Sequence, residues 1–303
     1  MTEYNTVAVF GLGAMGLPMA TALGRHGEVS GFDPYPARRE LARDHGIKVY
    51  DTAAQCAATA DVAVLAVRDE AQLETVMFGD DGIVPHLRQG IPIVLTSTVG
   101  ADAVRELTSR LDEHGLQLVD APVSGGPVRA ESGDLLVLVA ASPQAWEAAR
   151  PAVEAMGSTV TMVSERPGDG QALKTVNQLL CGIHIAAAAE AMALARALGL
   201  DLQAVLDALG AGAARSFMLS DRGGRMLEWE RGETPEVFST IGIFVKDMGI
   251  VGDATRSTHV ATPVAAAAEH LFRVAERLGL ENDDDSAVLR AIADLGERDS
   301  TRA

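Results

Sequence analysis

Cysteine is scarce: Cys56 and Cys181 are the only two in 303 residues, far apart and in unrelated surroundings. No disulfide framework and no zinc ligand set can be assembled from them, so a reducing compartment is expected and no metal site is. Positive charge is also short. Lysine and arginine number 25 against 42 aspartates and glutamates, a formal net charge of −17. Such a chain repels phosphate backbones and anionic lipid surfaces, which excludes nucleic acid and membrane as expected partners. If it handles an acidic substrate, isolated cations must create the field locally. Aromatics are only 4% of the chain, and Ala, Val, Leu and Gly dominate. That composition suits parallel sheets and closely packed helices.

No leader is expected either. The opening MTEYNTVAVFG has no basic stretch followed by an apolar one, so a cytoplasmic location is expected. The most apolar run, Cys181 to Leu200, contains His184, Glu190 and Arg196 and reads as a buried helix rather than a membrane span.

What is present is alternation. Short β-branched runs fall at Val7–Phe10, Val29–Asp33, Ile47–Val49, Val62–Val67, Ile91–Leu95, Leu116–Ala121, Leu135–Ala140 and Thr159–Val163, with helical patterns between them. Strands and helices alternating at this length predict an α/β fold, a Rossmann-type doubly wound parallel sheet. The pattern breaks at Ser164-Glu-Arg-Pro-Gly-Asp-Gly170, beyond which no convincing strand appears. Two domains are expected: a dinucleotide-binding domain over 1–164 and an all-helical substrate and dimerisation domain over 165–303. The second begins with a long helix from about 169 to 198, ended by Gly199. That helix is apolar on nearly every side and should be buried all round. A monomer of this size hardly permits that, so a subunit interface is expected. Further helices are predicted to start at Thr234-Pro235 and Thr262-Pro263, where threonine can cap and proline can occupy the first turn. The run Asp283-Asp-Asp285-Ser286 reads as a helix N-terminus favoured by the dipole, not as a metal site.

Gly11-Leu-Gly13-Ala-Met-Gly16 follows the first strand directly and opens a helix, and Asp33 ends the second strand about twenty residues on. Gly11 permits the tight turn, Gly13 lets the backbone approach a pyrophosphate, and Gly16 lets helix pack on sheet. The helix N-terminus then faces the phosphates. Asp33 suits ribose hydroxyls and repels a 2′-phosphate, so NAD is expected over NADP; Arg38 and Arg39 nearby soften that preference. Leu12, Ala14 and Met15 within the loop, and Val67 at the end of the fourth strand, complete this expected cofactor set.

Asp120-Ala-Pro-Val-Ser-Gly-Gly126 follows another strand. Its Ser124, Gly125 and Gly126 expose successive backbone N–H groups and a hydroxyl, a concavity that can hold a carboxylate. Lys174 lies near the start of the long helix, with Asn177, Cys181 and His184 at steps of three, four and three on the same face. A lysine on an apolar helix is costly to bury without a partner or a task. Lys246, in Phe244-Val-Lys-Asp-Met248, is a second isolated cation in an apolar segment. If close, it would help a lysine such as Lys174 release its proton.

Together, in this order, the glycine loop, DAPVSGG at 120–126, the Gly170…Lys174…Asn177 segment and the Lys246-Asp247 pair resemble the β-hydroxyacid dehydrogenase family over nearly the whole chain. The family includes 3-hydroxyisobutyrate dehydrogenase and tartronate semialdehyde reductase. Asn177 through Met192, Ile243 through Met248, Ser216-Phe-Met218 and Asp284 through Val288 resemble its L-threonate dehydrogenase branch. The resemblance implies an NAD(P)-dependent hydroxyacid dehydrogenase. In it Lys174 is the catalytic acid/base, Ser124, Gly125, Gly126 and Asn177 touch a small anionic hydroxy acid, and Thr98 and Lys246 lie on the cofactor side. Arg68 and Thr96 depart from the usual pattern without removing a catalytic group. An imine reductase, which usually replaces the lysine, and a non-catalytic NAD-binding regulator are the more distant alternatives.

Overall fold

The computed structural model describes residues 6–292, so the outermost ends of both expected domains lie outside the described residues. Nine strands form one sheet: β1 (Thr6–Phe10), β2 (Glu28–Phe32), β3 (Lys48–Val49), β4 (Val62–Leu65), β5 (Pro92–Leu95), β6 (Gln117–Asp120), β7 (Val123–Ser124), β8 (Leu136–Ala140) and β9 (Thr159–Ser164). Between them run α1 (Gly16–Leu23), α2 (Pro36–Asp44), α3 (Ala53–Ala57), α4 (Glu70–Phe78), α5 (Ala101–Glu113), α6 (Gly126–Ser132) and α7 (Pro143–Met156). After the sheet come α8 (Asp169–Ala197), α9 (Leu202–Ala211), α10 (Phe217–Glu230), α11 (Ile241–Thr258) and α12 (Pro263–Arg277).

The strand order is β3-β2-β1-β4-β5-β6-β8-β7, with β9 beside β8. The first six strands are all parallel and keep the 3-2-1-4-5-6 order of a Rossmann sheet. The far end differs from the expected all-parallel arrangement: β8 runs antiparallel to β6 and β7 and parallel to β9. β7 is only Val123 and Ser124, too short to leave a periodic signal. Val7 to Phe10 on β1 are fully buried because helices cover both faces, which is why the strand reads as an unbroken apolar run. On one face Val9, Val64 and Val94 pack with Met19, Leu23 and Val153. On the other Phe10, Leu65 and Leu95 pack with Met77, Val104 and Leu111.

The chain divides into two compact units after Lys174, within α8. In the second unit Ile185, Ala189 and Met192 from α8 meet Met226, Met248, Val251 and Phe272. Phe244 stacks on Phe272 with ring centroids 5.1 Å apart. By length and composition α8 alone among the described helices would suit a membrane span, but its inner face is packed into this core. The helix is not buried all round, as its composition suggests. Leu173, Val176, Leu180, Leu194 and Leu198 are exposed.

Thr234-Pro235 starts no helix. α11 begins later, where the Thr240 hydroxyl accepts the Ile243 N–H. The reason is tertiary: Ser239 carbonyl accepts the Asp285 N–H, and the Ile241 N–H donates to Asp283 carbonyl, which holds the preceding chain extended. At the other expected start α12 does begin at Pro263, although the Thr262 side chain makes no capping bond. The acidic run caps a short 3-10 turn, with Asp284 accepting the Ser286 N–H. It also does something its local sequence does not reveal. Asp284 and Asp285 are fully buried, Asp285 gripped in two hydrogen bonds by Arg222 and Asp284 held by Arg225. Burial raises the proton affinity of Asp285 against the pull of Arg222.

Candidate active site

In the first unit the glycine loop is shaped by close approach. Gly11 has φ 93°, and a Cβ there would stand 2.4 Å from the Ala66 carbonyl oxygen. A Cβ on Gly16 would stand 1.8 Å from the Gly11 carbonyl oxygen, so α1 can leave the loop only from a glycine. The Asp33 carboxylate, almost fully buried, accepts the Leu12 N–H at 2.8 Å and the Tyr35 N–H at 2.9 Å. It therefore ties the glycine loop to the end of β2 and retains lone pairs for a further donor. Arg38 lies 3.5 Å from Asp33 and beside Gly13, and Arg39 donates to the Asp33 carbonyl. A tight backbone loop opening a helix, with a carboxylate at the neighbouring strand end, fits a dinucleotide.

The ends of β4 and β5 are knitted side by side. Val67 N–H donates to the Ser97 hydroxyl at 2.9 Å, and the Thr96 hydroxyl donates to Leu65 carbonyl at 2.8 Å. Thr96 is thus a buried structural tie, and Thr98 follows it half-buried. Arg68 stands exposed at the start of α4, paired with Asp69. The serine–glycine turn opens α6, with Gly125 at φ 144° and Gly126 at φ 76°. Both angles favour glycine, and Ser124 sits half-buried before them.

Lys174 has 5% of its surface exposed. The turn of α8 just before it is anchored by two buried side chains. Gln171 donates to Ser97 carbonyl at 2.9 Å and to Asp120 at 3.1 Å, while its carbonyl oxygen accepts the N–H groups of Val99 and Gly100. Asp120, at the end of β6, accepts the N–H groups of Gly168 and Gln171. A Cβ on Gly170 would lie 2.8 Å from the Asp120 carboxylate, so the helix start is pressed against it. Burial pushes the Asp120 carboxyl up to about 6, although the Gln171 side chain and the backbone donors pull the other way. The consequence is that Lys174, the 97–100 loop and the glycine loop all belong to the carboxyl edge of one sheet.

In the second unit Asn177 is half-buried on α8. Its amide donates to Gln178 at 2.8 Å and to Cys181 Sγ at 3.4 Å. Gln178 in turn donates to Asp247, and Lys246 Nζ lies 2.7 Å from the same carboxylate. A Cβ on Gly182 would stand 2.3 Å from Met248 Sδ, so α8 and α11 pack with almost no separation here. Ser216 caps α10 through the Leu219 N–H, and Phe217 beside it is exposed. Cys56, in the first unit, is buried beside Ser30 and its thiol is pushed up to about 12, an inert packing group.

Two family models match the chain in succession: the NAD binding domain of 6-phosphogluconate dehydrogenase over residues 6–164, and the NAD-binding domain of NADP-dependent 3-hydroxyisobutyrate dehydrogenase over 168–292. The L-threonate dehydrogenase of Haemophilus influenzae is 37% identical across 94% of both chains. The chain belongs to the β-hydroxyacid dehydrogenase family. It is an NAD(P)-dependent oxidoreductase acting on hydroxy acids. The L-threonate dehydrogenase of Escherichia coli K12 is 34% identical over 95% of each chain. A crystal structure described as 3-hydroxyisobutyrate dehydrogenase from Salmonella typhimurium superposes with a TM-score of 0.87 at 34% identity, covering 95% of this chain and 99% of that one. Imine reductases share the fold at about one-fifth identity.

Four residues of this β-hydroxyacid dehydrogenase escaped sequence reasoning: Asp120, Gln171, Gln178 and Asp247. Each is a polar side chain with under a tenth of its surface exposed. The available signal was a carboxylate or amide in an otherwise apolar run next to a motif. Nothing local named the partners that tie them across the fold, Asp120 to Gln171 and Gln178 to Asp247, which are distant in sequence.

Proposed function

We propose that this enzyme oxidises a small sugar acid such as L-threonate at its 2-hydroxyl, giving the 2-oxo acid, with NAD preferred over NADP and Lys174 as general acid/base. One observation carries the reading: a buried lysine, one turn beyond a helix start tied to the ends of β5 and β6, in the unit that holds the glycine loop. The L-threonate dehydrogenases among the relatives support the substrate, and Asp33 supports NAD. Gly11 to Gly16 and Asp33 would hold the dinucleotide, with Val67, Thr98 and Lys246 as further cofactor contacts. The nicotinamide, when bound, supplies the hydride acceptor. Ser124, Gly125 and Gly126 grip the carboxylate and Asn177 a second polar group, orienting the reacting carbon. Lys174 takes the hydroxyl proton during oxidation and returns it during reduction. We further propose a cytoplasmic enzyme with its domain boundary at 164/165.

A second reading, 3-hydroxyisobutyrate oxidation or semialdehyde reduction, is favoured by the Salmonella structure's description and by a 31% identical 2-hydroxy-3-oxopropionate reductase of Escherichia coli. Initial rates on L-threonate, D-threonate, D-erythronate, glycerate and 3-hydroxyisobutyrate, each with NAD and NADP, separate the two. L-threonate with NAD is expected to have the highest kcat/KM. A higher value for 3-hydroxyisobutyrate overturns the substrate, and no reduced cofactor with any acid overturns the reaction.

We also propose a homodimer or homotetramer built on α8, whose Val176, Leu180, Leu194 and Leu198 stand exposed on a helix otherwise packed in a core. Light scattering should give a dimer or larger, and Leu180→Glu should reduce it towards monomer. A wild-type monomer at micromolar concentration refutes this.

A further inference from the structure

The polar chain on α8 and α11 has a direction that chemistry imposes. Asp247 is a carboxylate and only accepts hydrogen bonds. Gln178, 7% exposed and bonded to it, must therefore present its NH2 group to Asp247. Its carbonyl oxygen then faces Asn177, which must answer with its own NH2 group, at 2.8 Å. The second hydrogen of that NH2 group goes to Cys181 Sγ. Both Asn177 donors are committed inside the protein, so what Asn177 can offer a ligand is the carbonyl oxygen.

We infer that Asn177 meets the substrate as a hydrogen-bond acceptor and so selects hydroxy acids bearing a further hydroxyl, its amide held in that sense by Gln178 and Asp247 as positioning residues. This rests on the proposed reading that Asn177 contacts the substrate. A carboxylate oxygen cannot bond to a carbonyl, so the substrate's acid group is not what Asn177 holds. A substrate hydroxyl can donate to it. An analogue with hydrogen or methyl there leaves a desolvated acceptor unpaired, which polar sites reject more sharply than apolar pockets reject a changed methylene. The arrangement accordingly favours a polyhydroxylated acid over 3-hydroxyisobutyrate.

Two measurements test it. The first compares kcat/KM for L-threonate with that for its 3-deoxy and 4-deoxy forms. Wild type should discriminate against one of them by about tenfold or more. In Asp247→Asn the near-isosteric amide can present either end, the chain loses its imposed direction, and the discrimination should fall by at least about threefold. Gln178→Leu should do the same. Unchanged discrimination in both variants, with melting temperature and NAD affinity retained, overturns the proposal.

The second measurement needs no substrate. An N–H donor stabilises a thiolate, so the pH midpoint of Cys181 carbamidomethylation, followed by peptide mapping, should rise in Asn177→Ala. The added solvent access in that variant acts in the opposite direction, so a rise reports the lost donor alone. An unchanged or lowered midpoint overturns the proposal, whether or not any acid is oxidised. If no acid is turned over while the midpoint rises, the proposed reaction fails and the amide orientation stands.

Discussion

Lys174→Ala is expected to leave the NAD dissociation constant within about twofold of wild type and to lower kcat by about 10³-fold, within the range for removing a positioned acid/base. The side chain is buried on a helix turn whose anchors, Asp120 and Gln171, the substitution does not touch. The fold should therefore survive, and Lys174→Met, close in volume, should lose turnover equally. Lys174→Arg should not rescue, because a guanidinium stays protonated at any pH the enzyme tolerates. Steady-state rates on the preferred acid, with cofactor titration by fluorescence, check all three. Turnover within about tenfold of wild type in Lys174→Ala removes the lysine from its assigned role.

Gln171→Leu should be the most destabilising of the substitutions considered, at about 3–5 kcal/mol in urea unfolding at pH 7.5. It strands three backbone groups, the buried Val99 N–H and Ser97 carbonyl and the part-buried Gly100 N–H, the buried ones each worth about 1–3 kcal/mol when unpaired and the third less. It also removes a donor from Asp120. That donor holds the carboxyl down against burial, so its loss lifts the proton affinity further above about 6. A carboxyl raised in the folded state contributes stability below its unfolded value, near 3.9, and loses that contribution as pH climbs through the folded value. The deficit of the variant should thus be larger at pH 7.5 than at pH 5. A pH-independent deficit would mean that Asp120 and Gln171 are not coupled. Because Gln171 joins the 97–100 loop to the first turn of α8, kcat should fall as well, even in the fraction that remains folded.

Much of this molecule is legible in its sequence. The glycine loop, the acid at the end of β2 and the switch from alternating strands to continuous helix are local patterns, set by periodicity and by the few residues that tolerate a given backbone angle. The antiparallel β8 was not legible, since a short apolar run carries no sign of its direction. The start of α11 was misplaced because Ser239 and Ile241 are bonded to residues some forty positions away. The exposed stripe on α8 was hidden for a related reason: composition reports how apolar a helix is, not which side of it a core covers.

The sequence by itself determined the fold class and the NAD(P) cofactor class, and it singled out Lys174 as the amine proposed to react, because each depends on residue types at fixed short spacings. Only the tertiary structure decided that Asp120 and Gln171 anchor the turn before Lys174, and that Asp247, through Gln178, sets which end of Asn177 faces outward. Hydrogen-bond direction is a property of partners brought together by folding, and no one-dimensional pattern records it.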